Sequence, residues 1–171
     1  MNDASKRILV PVDLGEESSS AVALAADLAQ RIGGEVVMMH VYTLPQYAYA
    51  GVNIALVPET VAKIGAIARR ALEGYAKDHG GVHSLLREGD PAEEILGAIA
   101  SERPYMVVMS THRRKGISRL LLGSVADKVA RRSPVPVMTV ARGPARARRS
   151  AEEPEAYHPS MGVKELELAV P

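Results

Sequence analysis

Cysteine is absent from all 171 residues, and so are phenylalanine and tryptophan. The first absence excludes disulfides and thiolate metal sites, and it suits a cytoplasmic protein. The second leaves Val, Ile, Leu, Met and Ala to fill the core of a chain that is 47% apolar. No apolar run approaches the roughly 18–20 residues of a membrane span. The N-terminal MNDASKR does not have a signal-peptide pattern, because the apolar stretch after it is far too short. A cytoplasmic location with no membrane partner is therefore expected. A large excess of one charge is missing too. The net charge is +1, so bulk attraction to nucleic acid is not expected and any electrostatic role has to be local. The length fits one ordinary domain plus an extension.

What the chain does have is a regular alternation of strand and helix patterns. Arg7–Val12 (RILVPV) is an apolar run ending at Asp13. Glu16–Ile32 carries Val22, Leu24, Ala25, Leu28 and Ala29 at helical spacing until Gly33-Gly34 stops it. Glu35–Val41 (EVVMMHV) reads as a second buried strand, followed by a Tyr-rich connector over Tyr42–Val57. Pro58–His79 reads as a long helix and Val82–Glu88 as a third, more polar strand. Asp90-Pro91 opens a helix to about Glu102, with proline at its first position. Tyr105–Ser110 is a fourth strand, Leu121–Arg132 a fourth helix and Val135–Val140 a fifth strand.

This alternation predicts an α/β fold, an open five-stranded parallel sheet with right-handed crossovers and helices on both faces. In such sheets ligands bind at the carboxyl ends of the strands, where strand order reverses. With the order 3-2-1-4-5, that crevice collects Asp13, Val41 and the Ser110–Ser124 loop. The pattern defines an α/β domain over residues 1–142. Residues 143–171 form an extension with a basic stretch and then an acidic one. It reads as a frayed tail, or as an arm whose Val163–Val170 segment docks on its own domain or on a partner.

The stretch from Tyr105 to Val140 is the most informative. YMVVMS is a short apolar run, THRRKGISR holds the cations Arg113, Arg114, Lys115 and Arg119, and Gly123-Ser124 then opens an amphipathic helix. Asp127 follows Ser124 in capping-box register. A strand, a basic loop and a Gly-Ser helix start together make an anion site. The amides of the first helical turn and the positive end of the macrodipole both face the ligand.

The segments KRILVPVDLGEESSSAV, REGDPAEEIL and VVMSTHRRKGISRLLLGSVADKVARRSPVPVMTV, in this order, resemble the universal stress protein family from Lys6 to Val140. The resemblance implies a Rossmann-like fold of the adenine nucleotide alpha hydrolase kind. It also implies a homodimer paired through the fifth strands, here Val135–Val140, and ATP in the crevice, with or without Mg2+. Asp13 is then the carboxylate that takes ribose hydroxyls, with Pro11 and Val12 as an apolar wall beside it. Val41 falls where the family makes backbone contacts to adenine, and Met109, near the end of the fourth strand, is a further nucleotide-binding candidate. His112, Arg113 and Arg114 lie near the phosphates, and Gly123, Ser124 and Val125 supply the phosphate-holding helix start. ATP-binding members carry G-x-x-G, nine residues, then G-S or G-T. Gly123-Ser124 matches the second pair, whereas Ser110 and Arg113 stand where the first two glycines would be. A Cβ there hinders close approach of the backbone to phosphate, while arginines offer guanidinium–phosphate bonds instead.

Competing readings stand beside these. Asp13 can serve as a turn or cap residue for the helix that follows, and Val41 as plain core. Ser18, Ser19 and Ser20 read as capping and first-turn residues, with no histidine placed by sequence as their base. His40 reads as a hydrogen-bonded structural histidine. The Gly80-Gly81 break makes His79 and His83 a poor metal pair, and Glu93 and Glu94 are explained by the helix dipole. No enzyme is expected. The leading expectation is a regulatory, stress-response protein that binds ATP or a related adenine nucleotide and is read by a protein partner the sequence does not identify. The alternative is a dimeric interaction protein that works without nucleotide, and a third reading is weak ATP hydrolysis.

Overall fold

Strand β1 (Arg7–Pro11) is the centre of the molecule. Ile8, Leu9 and Val10 are fully buried, as a continuous apolar run covered on both faces requires. The computed structural model describes residues 6–44, 47–49, 52–54, 58–80, 83–111 and 123–141. Helix α1 (Glu16–Ile32) follows. Gly33 closes it in the left-handed conformation at φ 64°, and the Gly34 N–H donates to the Ala29 carbonyl at 2.8 Å. A Cβ on Gly34 would lie 2.1 Å from the Lys6 carbonyl oxygen. Only glycine therefore fits where the chain passes into β2 (Glu35–Tyr42).

The Tyr-rich connector, read from sequence as irregular, contains two short strands, β3 (Tyr47–Tyr49) and β4 (Val52–Ile54), paired antiparallel. Helix α2 (Pro58–Asp78) leads to β5 (His83–Glu88). Asp90 caps α3 (Pro91–Glu102), its carboxylate accepting the N–H groups of Ala92 at 3.0 Å and Glu93 at 3.1 Å. Strand β6 (Met106–Thr111), helix α4 (Ser124–Arg132) and strand β7 (Val137–Ala141) complete the described chain.

The main sheet has the order β5-β2-β1-β6-β7, with every pairing parallel. Taken as the five principal strands in chain order, this is the expected 3-2-1-4-5. Alternate residues of the strands feed two cores. Ile8, Val10, Met38 and Val108 pack under α1 and α2, and Leu9, Val37, Met39, Val107 and Met109 pack under α3 and α4.

Two boundaries in the last part of the domain differ from the sequence reading. Gly123, not Ser124, is the N-cap of α4, so Ser124 is the first helical residue. The expected capping box is therefore out of register, and the Asp127 carboxylate is held by Arg131 at 2.9 and 3.0 Å. The fifth strand begins at Val137, because Ser133 holds Val135 in a local turn through bonds of 2.7 and 3.2 Å. The extension 143–171 lies outside the described residues. No helix among them is long and apolar enough to cross a membrane.

Candidate functional site

Strand β1 pairs with β2 on one side and β6 on the other, and the chain leaves those neighbours in opposite directions across the sheet. The carboxyl ends of β1 and β6 therefore bound the crevice that an open α/β sheet offers to a ligand.

Asp13 stands directly after β1 with its side chain exposed. Its Oδ1 accepts the Gly15 N–H at 3.0 Å, an Asx turn, and the Ser18 hydroxyl at 2.5 Å. The Asp13 N–H in turn donates to Ser18 Oγ at 3.1 Å, and Ser18 itself is only 1% exposed. The two residues thus close a reciprocal ring at the start of α1. The turn reading of Asp13 is realised, and a carboxylate with about four lone-pair positions can combine it with binding to a ligand. Between Asp13 and Gly15, Leu14 sits at φ 65°, a left-handed conformation that costs a branched residue about 1–2 kcal/mol. Strain of this kind gathers at functional turns.

The neighbouring expectations fall as follows. Val12 is 5% exposed and packs in the core under α1 and α2. Its N–H donates to the Met39 carbonyl at 2.8 Å, and its carbonyl accepts from His40 Nδ1 at 2.8 Å. It is thus enclosed rather than an open wall, and Pro11 is half-buried. His40 is the hydrogen-bonded structural histidine expected from the sequence. Its ring ties β2 to the end of β1, directly beneath Asp13. Met109, Val41 and Val125 meet in the core under α3 and α4, Met109 buried and the other two packed at its margin.

Ser110 belongs to β6, in register with Val140 of β7, and it is not among the described residues with positive φ. Serine in the first glycine position of the motif therefore carries no backbone strain. Thr111 follows, nearly buried, its hydroxyl donating to the Val140 carbonyl at 3.4 Å. Gly123 has φ −55° and ψ 152°, and a Cβ on it would meet nothing within 4 Å. Ser124 is exposed at the head of α4. His112, Arg113 and Arg114 lie outside the described residues.

Away from the crevice, Glu93 at the start of α3 accepts two bonds from the Arg132 guanidinium at the end of α4, one of them 3.1 Å. This hydrogen-bonded pairing holds the Glu93 carboxyl below its ordinary range and raises Arg132. Among the described residues no group of three or more His, Asp or Glu side chains is placed to hold a metal ion.

Sequence reasoning missed three features. The left-handed backbone of Leu14, inside the turn the sequence allowed at Asp13, had a signal in the Asp-x-Gly spacing. The Asp13–Ser18 ring had a weaker one, in a serine two residues into the helix. The bonding of Ser19 to Tyr75 on α2 and His79 just after it had none, because the partners are 56 and 60 residues apart.

Comparison with known proteins agrees with this architecture. The model of the universal stress protein family matches residues 4–141. A universal stress protein of Thermus aquaticus is 32% identical over 139 residues, covering 79% of this chain and 98% of the relative. Among solved structures, the universal stress protein UspA from Lactobacillus plantarum superposes with a TM-score of 0.62 at 18% identity, covering 81% of this chain and 99% of the other. A universal stress protein in complex with cAMP does so with a TM-score of 0.54 at 24% identity, covering 81% and 98%.

Proposed function

This chain belongs to the universal stress protein family, and we propose on that premise that it binds an adenine nucleotide in the crevice at the carboxyl ends of β1 and β6, acting by binding rather than turnover. The reading is carried by one observation, the reversal of strand order at β1 with Asp13 exposed at its end and Gly123-Ser124 opening α4 beyond β6. The Asp13 carboxylate accepts ribose hydroxyls, fixed in place by Gly15 and Ser18. Adenine packs beside Val41, at the margin of the apolar core. The first-turn amides of α4 hold phosphate, assisted by the helix dipole and by the cations of the preceding loop. A structural neighbour solved in complex with cAMP supports this class of ligand. Mg2+ would accompany the phosphates without a dedicated protein cage.

Calorimetric titration of ATP into nucleotide-stripped protein, with and without Mg2+, tests the reading. A micromolar dissociation constant is expected, with ATP recovered unchanged. Ser124→Glu sets a carboxylate where phosphate would lie and is expected to abolish the heat of binding. Absence of binding by the folded wild-type protein, or unaltered binding by Ser124→Glu, contradicts it.

The same reading includes a homodimer paired through β7, which is an edge of the sheet and leaves Met138 39% exposed. An apolar edge strand needs a partner or a cover. Sedimentation of Met138→Asp is expected to show monomer where the wild type shows dimer, and a wild-type monomer would contradict the pairing. A nucleotide-independent interaction protein is the second reading. It is favoured by Ser110 and Arg113, which stand where ATP-binding members carry the first two glycines of the motif.

A further inference from the structure

Ser19, in the first turn of α1, lies against the last turns of α2. Its Oγ is 3.2 Å from His79 Nε2 and 3.2 Å from the Tyr75 hydroxyl. His79 Nδ1 is 2.8 Å from the Tyr75 carbonyl. A carbonyl can only accept, so Nδ1 carries the ring hydrogen and Nε2 presents a lone pair. The Ser19 hydroxyl is accordingly the donor to Nε2. The imidazole is held from a second direction by stacking on the Tyr75 ring, with centroids 4.1 Å apart and planes 23° from parallel. The Tyr75 hydroxyl also reaches the Gly15 carbonyl at 3.3 Å. A hydroxyl bonded to a base that a third group orients is the arrangement of an activated nucleophile. All three side chains are half-buried, hence reachable yet partly shielded from water.

We propose that Ser19 is a site of covalent acylation, with His79 as its general base and an activated carboxylic ester as the acyl donor. Ser19 Oγ forms a bond to the acyl carbon while its proton passes to His79 Nε2. The bond from that carbon to the leaving oxygen then breaks, and the proton moves from His79 to the departing alkoxide or aryl oxide. The product is an acyl ester on Ser19, with the imidazole restored to its starting form. Tyr75 is a positioning residue, since its ring and carbonyl fix His79 while its hydroxyl donates to the carbonyl of Gly15, the N-cap of α1. The side chains are distinct from those of the crevice, because Ser18 bonds to Asp13 whereas Ser19 bonds to Tyr75 and His79.

The test is reaction of the intact chain with p-nitrophenyl acetate. A burst of nitrophenolate stoichiometric with protein is expected, with the acetyl group found by mass spectrometry on the peptide containing Ser19. Ser19→Ala removes the burst. His79→Gln slows it by about 100-fold or more, the usual contribution of a positioned general base. Tyr75→Phe keeps the stacked ring and the carbonyl and is expected to have the smaller effect. Acetylation at lysine or tyrosine but not at Ser19, or a His79→Gln protein labelled at the wild-type rate, overturns the proposal. Circular dichroism verifies that each variant is folded. Should a variant unfold, the position of the acetyl group on the wild-type chain decides alone.

Discussion

Asp13 and Ser18 show how the fold fixes a single exposed carboxylate. The serine is buried, receives the Asp13 N–H and donates to the Asp13 carboxylate. The carboxylate therefore keeps one orientation above the crevice, and little rotamer freedom remains to be lost when a ligand arrives. Ser18→Ala removes both bonds and leaves the Asp13 N–H without its serine partner. The expected loss of stability is about 1–3 kcal/mol, read by urea denaturation, together with weaker ATP binding. An unchanged midpoint would mean that the ring does not form in solution. Leu14 adds to the same preparation, since its left-handed backbone is tolerated only because its side chain packs against the core under α1 and α2. The role of Asp13 as an end-of-strand carboxylate was legible from its position after RILVPV. Its bonded geometry was only half legible, because Asp-x-Gly signals a turn but does not say which serine closes it.

Between elements, the main polar tie on the second face of the sheet joins the start of α3 to the end of α4 through Glu93 and Arg132. The Arg132 bonds lower the Glu93 carboxyl in the folded protein, so its pairing adds stability that is full above the ordinary carboxylate range and is lost as the pH falls from that range through the lowered folded value. Arg132 keeps its charge throughout. Wild-type protein is expected to melt above Glu93→Gln at neutral pH and low salt, and the two melting temperatures are expected to converge under acid. A difference independent of pH would contradict this assignment. Both partners are exposed, so added salt is also expected to shrink the difference. Elements with strong local chemistry were legible: Asp90-Pro91 at the head of α3, the double glycine after α1, the apolar run of β1. Those with weak chemistry were not. The three-residue strands β3 and β4 are too short to show a period. The N-cap of α4 moved by one residue because glycine and serine are both acceptable there.

For the whole molecule, the sheet order follows from alternation, since five strands separated by helices leave few un-knotted right-handed arrangements. The order places β1 at the reversal point and so determines where a ligand can sit. Contacts between helices on one face of the sheet, such as Ser19 with His79, depend on how two helices pack and carry no sequence signal at this separation. Whether the crevice between β1 and β6 holds the nucleotide is decided by amide resonance mapping during titration with ATP. Saturable shifts are expected at Val12–Gly15, Val41 and Gly123–Val125, with β7 and the Ser19–His79 contact little changed. Shifts confined to other surfaces, or none at millimolar ATP, would contradict binding there.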